Sequence, residues 1–159
     1  MAQPTLFPES GFRRLRMDIA YDGTNFGGWQ IQKNATSIQS LIEEALSLIL
    51  REKTAIVGAG RTDAGVHAKG QVAHFQTEKA LIPSRVKFSL NGLLPPTIRI
   101  LDLEEASPSF HARYSASSKI YHYHLCLNRV FSPFNRLYSL HIPYPLDVDL
   151  LKQASLLFL

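Results

Sequence analysis

The sequence predicts an α+β fold, in which an antiparallel sheet carries helices on one of its faces. Three observations support this prediction. Several short segments alternate apolar and polar residues, which is typical of half-buried strands. Two other segments repeat their apolar residues every three or four positions, which is typical of amphipathic helices. The segments follow one another as strand, helix, strand, strand, helix, strand, which is the order of the split βαβ motif.

The first strand is expected over residues 15–21, because they alternate in polarity and end at the turn dipeptide Asp22-Gly23. A second strand is expected near residues 54–59, where apolar residues lead into a glycine-rich run.

A helix lies between these two strands. Thr36 or Ser37 can cap it, and Thr36 with Gln39 has the spacing of a capping box. The helix is expected to bury a face formed by Ile38, Leu41, Ile42, Ala45, Leu48 and Ile49.

A strand near residues 71–76, a helix beginning at Pro83 and a strand over 97–103 complete the order. In that second helix Val86, Leu90 and Leu93 share a face. The prediction is therefore a ferredoxin-like or RRM-like βαββαβ domain, and the face of its sheet without helices is expected to be free for a ligand.

The remainder is expected to begin a second domain. A strand is predicted over 119–127, and Asp147 can cap a helix with an apolar stripe. The sequence stops at Leu159, within that stripe, which predicts truncation; a short helix docked on the core is the alternative. The expected divisions are a loose leader over 1–13, the βαββαβ domain over 14–106 and an incomplete second domain over 107–159.

Composition excludes some classes of protein. The 159 residues, 45% of them hydrophobic, are enough for one domain with a core, and the single cysteine, Cys126, allows no internal disulfide. No apolar run is long enough for a transmembrane helix, so a cytoplasmic protein without membrane contact is expected. A net charge of +4 permits an anionic partner such as nucleic acid, and is equally typical of a solvated basic surface.

The run over residues 58–68 is the strongest candidate for a site, because Arg61 and Asp63 lie two positions apart among glycines. Beside a guanidinium, Asp63 is expected to stay ionised and to act as nucleophile or base. The run lacks the third glycine of a dinucleotide fingerprint and the lysine of a P-loop. Arg61 argues against the shared proton of an aspartic protease. A turn aspartate that binds its own backbone remains the structural alternative.

Three blocks of sequence resemble the TruA family of tRNA pseudouridine synthases. AGRTDAGVHA over 59–68, followed by GQV over 70–72, looks like the family signature. YDGTNFGGWQ over 21–30 is similar to the first family block, and FHARYSA over 110–116 with KIYHY over 119–123 resembles a third. Their order and spacing also match those of the family.

The resemblance implies the N-terminal half of the pseudouridine synthase fold, in an enzyme that isomerises uridine to pseudouridine in the anticodon stem-loop of tRNA. It implies a homodimer in the full-length protein and a reaction without metal or cofactor. Family members continue beyond this point, and their second half supplies a basic partner for the aspartate. A catalytically inactive, truncated RNA-binding remnant is the rival hypothesis.

The resemblance also implies the roles of particular residues. Asp63 matches the catalytic aspartate, Arg61 is placed to orient it or to contact phosphate, and Tyr121 matches the tyrosine that packs on the target uracil. Whether Asp63 attacks the base, attacks the sugar or removes a ribose proton stays open. Tyr121 as a core-facing strand residue is the alternative. Candidate RNA contacts are Arg13, Arg14, Arg16 and Arg113. For the basic run of the first three, a solvated strand edge is the alternative.

Overall fold

Six elements in the predicted order form the first of two compact units in the computed structural model, which describes residues 12–158; the chain divides after Ser117. Most of the predicted leader lies outside the described residues. The elements of this unit are β1 (Arg13–Tyr21), α1 (Ile38–Leu50), β2 (Val57–Gly58), β3 (Ala68–Thr77), α2 (Pro83–Leu93) and β4 (Ile98–Ala106). The four strands form one antiparallel sheet in the order β2-β3-β1-β4, so the predicted α+β fold class is confirmed.

β1 lies at the centre of the sheet and alternates strictly between its two faces. Leu15, Met17 and Ile19 are completely buried and pack with residues of α1 and α2 in one hydrophobic cluster. The residues that alternate with them, Arg14, Arg16, Asp18 and Ala20, are half-buried on the opposite face. Both helices therefore cover one face of the sheet, because only that face of β1 is apolar.

The start of α1 differs from the predicted capping box. Ser37, not Thr36, is the N-cap: its hydroxyl accepts the amide of Ser40 at 3.1 Å, and Ser40 Oγ lies 3.3 Å from the amide of Ser37. Gln39 instead donates to Glu43 at 2.8 Å. A serine one position later supplies the same reciprocal bonds with a shorter side chain.

The buried face of α1 is also rotated from the predicted one. Leu48 was expected in the core but is 71% exposed, whereas Leu46 and Leu50 are buried. Leu41 and Ile49 lie at the margin of the core. Several adjacent apolar residues allow more than one stripe on a helix, and packing against the sheet selects between them.

β2 is shorter than the strand predicted over 54–59. The amide of Thr54 binds Ser47 Oγ at 3.1 Å, and the amide of Ile56 binds a carboxylate oxygen of Glu43 at 3.0 Å. Side chains of α1 satisfy these amides, so residues 54–56 do not join the sheet.

The face of the sheet without helices is partly covered by the chain itself, contrary to expectation. The Arg14 guanidinium donates to the carbonyl of Phe110, and the amide of Ala112 donates to Nδ1 of His74 at 3.1 Å. Ala112 and His74 are 2% and 5% exposed, so the segment after β4 closes this part of the face.

The second unit begins at Ser118 and contains little regular structure. The strand predicted over 119–127 is wrong for most of its length: only β5 (Leu125–Cys126) is extended and paired, parallel to β6 (Leu140–His141). Alternation alone does not make a strand, since a strand also needs a neighbour for its backbone groups. Ile120 is 81% exposed.

The predicted C-terminal helix is present as α3 (Val148–Ser155), followed by a single 3₁₀ turn over Leu156–Phe158. Asp147 caps it as expected, accepting the amide of Leu150 at 2.9 Å. The apolar stripe is not buried, because Leu150 and Leu157 are 61% and 84% exposed. Within residues 12–158, no helix has the length and apolar character needed to cross a membrane.

Candidate active site

A glycine-rich loop over residues 59–67 joins β2 to β3 and carries Asp63, the predicted catalytic residue. Asp63 and Arg61 are both exposed. The amide of Val66 donates to the carbonyl of Asp63 at 3.2 Å, and Gly65 has a φ of +79°, so the chain turns directly after the aspartate. The turn leaves the Asp63 side chain exposed to solvent.

Thr62, the residue before Asp63, is bound to the end of β1. Tyr21 Oη lies 2.8 Å from Thr62 Oγ1, and Tyr21 is only 4% exposed. Burial raises the pKa of the Tyr21 phenol above its usual value, against hydrogen bonds with Thr62 and Gln71 that lower it. Gln71 also donates to the carbonyl of Gly60 at 2.9 Å. Buried polar groups therefore hold the N-terminal half of the loop.

Gly28 and Trp29 pack against the loop backbone. The Trp29 amide donates to the carbonyl of Thr62 at 2.9 Å. Gly28 has a φ of +95°, and a Cβ built on it would lie 2.5 Å from that carbonyl oxygen and 3.0 Å from the carbonyl carbon of Asp63. Glycine alone suits both the left-handed backbone and the close approach. The carbonyls of Gly28 and Trp29 accept amides of the first turn of α1, so these two residues join the helix to the loop.

The C-terminal end of the loop is bound through His67. Its Nδ1 lies 3.1 Å from Oδ1 of Asp22, to which it donates when it carries the ring proton, and 3.2 Å from the amide nitrogen of Gly23, from which it accepts when it does not. The same carboxylate oxygen accepts the amide and the hydroxyl of Thr24, at 3.0 and 2.6 Å. A Cβ on Gly23 would collide with the carbonyl of Val66, so the loop backbone passes directly over this glycine.

Arg61 is not paired with Asp63 in this arrangement. Among the residues that the structure describes, no ion pair joins the two side chains. The loop thus carries two exposed, opposite charges, the Arg61 guanidinium and the Asp63 carboxylate, that are not bound to each other.

Three of the predicted RNA-contacting arginines are engaged within the protein. Arg13 donates to the carbonyl of Leu81 at 3.1 Å and pairs with Glu105. Arg16 pairs with Glu104 at 2.6 Å and with Asp18 at 2.8 Å. As described above, Arg14 holds the segment after β4.

The other predicted site residues lie at the surface. Arg113 is exposed in the first unit. Tyr121 belongs to the second unit, where it is 73% exposed in a segment without regular structure. His122 and His124, also in the second unit, have ring centroids 6.4 Å apart. No group of three metal-ligating side chains occurs in the described part of the chain.

His74 is a buried titratable group on the face of the sheet without helices. Its ring centroid lies 4.8 Å from that of His111, which in turn stacks on Tyr114 at 4.3 Å. Burial lowers the pKa of His74 to about 4, with help from the charges of His111 and Arg14 and against a hydrogen bond with the Val57 backbone. His74 is therefore neutral at neutral pH, which suits Nδ1 as the acceptor of a backbone amide.

This low pKa predicts that the protein loses stability in acid. Above pH 6.5, His74 is neutral whether the chain is folded or unfolded, so it adds no pH dependence. Between pH 6.5 and about 4 the unfolded chain binds a proton that the folded chain does not. The free energy of unfolding should therefore fall across this window by on the order of 3 kcal/mol. Urea unfolding at a series of pH values measures the loss.

The His74→Asn variant keeps an acceptor near Nδ1 but does not titrate, so its pH slope should be flatter. The matched variant His122→Asn removes an exposed histidine of the second unit. An equal slope in wild type and His74→Asn would contradict the prediction.

The contacts of Tyr21 and Asp22 with the loop were not predicted from the sequence. Asp22 was interpreted first as a turn residue and Tyr21 as the end of a strand, and both only as members of the block over 21–30 that resembles the family, whereas packing of Trp29 on the loop was expected. The available signal was the glycine pair that precedes Trp29, since adjacent glycines before a large aromatic residue indicate close backbone packing.

The fold and the site define an α+β domain that presents a carboxylate on a glycine-rich loop beside its central strand. The family model described as tRNA pseudouridine synthase matches residues 18–115, so the chain belongs to this family.

Curated relatives carry the same name. The chain is 58% identical over 144 residues to tRNA pseudouridine synthase A 1 of Protochlamydia amoebophila, a match that covers 90% of this chain and 56% of the relative. It is 46% identical over 144 residues to tRNA pseudouridine synthase A of Thermodesulfovibrio yellowstonii, covering 91% and 57%. For the enzyme of that name from Brevibacillus brevis the identity is 44% over 143 residues, covering 90% and 59%. The chain thus spans less than two thirds of the length of these relatives.

Proposed function

We propose that this chain carries the catalytic aspartate of an enzyme that isomerises uridine to pseudouridine in the anticodon stem-loop of tRNA. One observation carries the proposal: Asp63 is exposed on a loop whose backbone is bound on both sides of it, at Thr62 and at His67. A reactive group needs access to its substrate and a fixed position, and this loop supplies both.

The reaction breaks the bond between uracil and ribose, turns the base, and rejoins it to the sugar through carbon. The target nucleotide has to leave its stack to meet Asp63, which a surface loop with small residues permits. Asp63 acts as nucleophile on the base or the sugar, or as the base that removes a ribose proton. All three routes use the ionised carboxylate.

Arg61 and Tyr121 are proposed to support the same step. The guanidinium of Arg61 is exposed beside Asp63 and can orient the carboxylate or bind a phosphate once RNA is present. The exposed ring of Tyr121 has the flat apolar face on which an extruded uracil stacks.

The tRNA is proposed to bind an overall basic chain with a net charge of +4. Of the four candidate arginines, Arg113 is the exposed one. To bind a phosphate of the tRNA, each of the other three would have to give up a partner within the protein. The proposal includes a homodimer of the longer protein and a cytoplasmic location, as in the family that the sequence resembles.

The rival function is an RNA-binding remnant without activity. A tRNA transcript labelled with tritium at carbon 5 of uracil separates the two, because the new bond replaces hydrogen at that carbon. The proteins to compare are the 159-residue chain and a chimera in which the unmatched remainder of the Protochlamydia relative follows it. We expect the chimera to release tritium, and a transcript with cytidine in place of the anticodon-stem uridines to give none. A chimera that binds tRNA without releasing tritium would support the remnant instead.

A further inference from the structure

Tyr21, the last residue of β1, and Asp22, the residue directly after it, contact opposite ends of the Asp63 loop. Tyr21 reaches Thr62 before the aspartate, and Asp22 reaches His67 after it. β1 is the central strand of the sheet, paired along its length with both β3 and β4. The loop is therefore tied at two points to the best-supported strand of the domain.

The contact before Asp63 is made in a buried environment. The Tyr21 ring lies in the hydrophobic core, 6.1 Å from the ring of Trp29, and only its hydroxyl meets a polar group of the loop. Since Thr62 also accepts the Trp29 amide through its carbonyl, both its side chain and its backbone are held. These bonds fix the residue that directly precedes Asp63.

The contact after Asp63 is made by a carboxylate that is itself held in place. Oδ1 of Asp22 accepts two hydrogen bonds from Thr24 and lies within 3.1 Å of His67 Nδ1. The amide of Asp22 donates to the carbonyl of Thr97 at 2.9 Å, which ties this residue to the residue before β4.

The tip of the loop depends on these contacts. Ala64 is exposed, and a Cβ on Gly65 would meet no atom within 4 Å. Outside the loop, the backbone of the tip lies against Gly23 and Gly28, and the Gly65 amide lies 3.3 Å from the carbonyl of Phe26. The position of Asp63 is thus set by this backbone packing and by the bonds of the residues on either side of it.

We propose that Tyr21 and Asp22 are positioning residues that hold the Asp63 carboxylate in its reactive position, Tyr21 through Thr62 and Asp22 through His67. This inference rests on the proposed function. Neither residue reaches the reacting atoms, and each acts through the loop backbone.

The test uses Tyr21→Phe and Asp22→Asn, which remove one hydroxyl and one charge with little change in shape. In the active chimera, each should lower kcat by roughly 10- to 100-fold, because small displacements of a reacting group have effects of that size. KM for tRNA should stay within about twofold, since neither residue is placed in the RNA contact surface.

A second readout does not depend on activity. Hydrogen–deuterium exchange of the Gly65 and Val66 amides, measured in the 159-residue chain, should become faster in both variants, because the loop opens locally. This measurement tests whether the two residues hold the loop, independently of whether the proposed function is correct.

The control is Ile100→Val, a core change on β4 that lowers global stability without touching the loop. It should leave kcat and the exchange of the two loop amides as in wild type. The proposal is overturned if Tyr21→Phe and Asp22→Asn exchange and turn over like wild type, if they change KM alone, or if Ile100→Val has the same effects.

Discussion

Asp63→Asn should lower the rate of pseudouridine formation by on the order of 10³-fold, the largest effect expected of any single substitution in this chain. The amide has the shape of the carboxylate but neither its charge nor its nucleophilicity. Asp63 is exposed and takes part in no ion pair among the described residues, so the folded state should be unaffected. Tritium release by the chimera measures the rate, and thermal unfolding measures the stability.

Asp149→Asn is the matched control, because it removes the same charge from a side chain that is 86% exposed in α3. It should retain full activity. Asp63→Asn with more than a tenth of the wild-type rate would show that the catalytic group is elsewhere.

Gly28→Ala should lower the free energy of unfolding by about 4 kcal/mol. Alanine is strained at a φ of +95°, and its Cβ would lie 2.5 Å from the Thr62 carbonyl oxygen. The Thr62 carbonyl and the adjoining backbone of Asp63 cannot easily move away from this Cβ, because Trp29 and Tyr21 both form hydrogen bonds with Thr62. The substitution therefore has to displace the loop or unfold its support. Urea unfolding gives the loss of stability, and tritium release should fall with it.

Gly92→Ala provides the comparison for this prediction. Gly92 lies in α2, and a Cβ there would meet no atom within 4 Å. Alanine in a helix should stabilise the protein by about 0.5–1 kcal/mol. If Gly28→Ala unfolds within about 1 kcal/mol of wild type, the close packing of Gly28 on the loop is not important for stability.

The secondary structure of the first unit was predictable because its signals are local. Alternation marked β1 and Pro83 marked the start of α2, and in the second unit Asp147 likewise marked the start of α3. Each of these features depends on residues that are neighbours in sequence. Strand ends and the buried face of α1 were less predictable, because contacts with other elements decide them.

The strand expected over residues 119–127 shows where local signals fail. Its alternating tyrosines and histidines have the right period for a strand, yet only Leu125 and Cys126 pair with another strand. A strand is stabilised mainly by pairing with neighbouring strands, and the sequence of the segment itself does not show whether such neighbours are present.

In the candidate site, too, some features depend on neighbours in sequence and others on contacts made by folding. Asp63 and Arg61 were identifiable because one short glycine-rich run contains both, and the family resemblance assigns them roles. Whether they form an ion pair was not predictable, since two exposed charged side chains in a loop can adopt many relative positions. The structure leaves them unpaired.

By itself, the sequence determined the order of the six elements, the presence of Arg61 and Asp63 in one glycine-rich loop and the family to which the chain belongs, because all three reside in short, contiguous patterns. Only the tertiary structure decided what holds that loop. Tyr21, Asp22 and Gly28 lie more than thirty positions before Asp63 and meet its loop through folding alone. The hydroxyl of Tyr21, the carboxylate of Asp22 and the absence of a Cβ at Gly28 affect the loop only because folding brings these residues into contact with it.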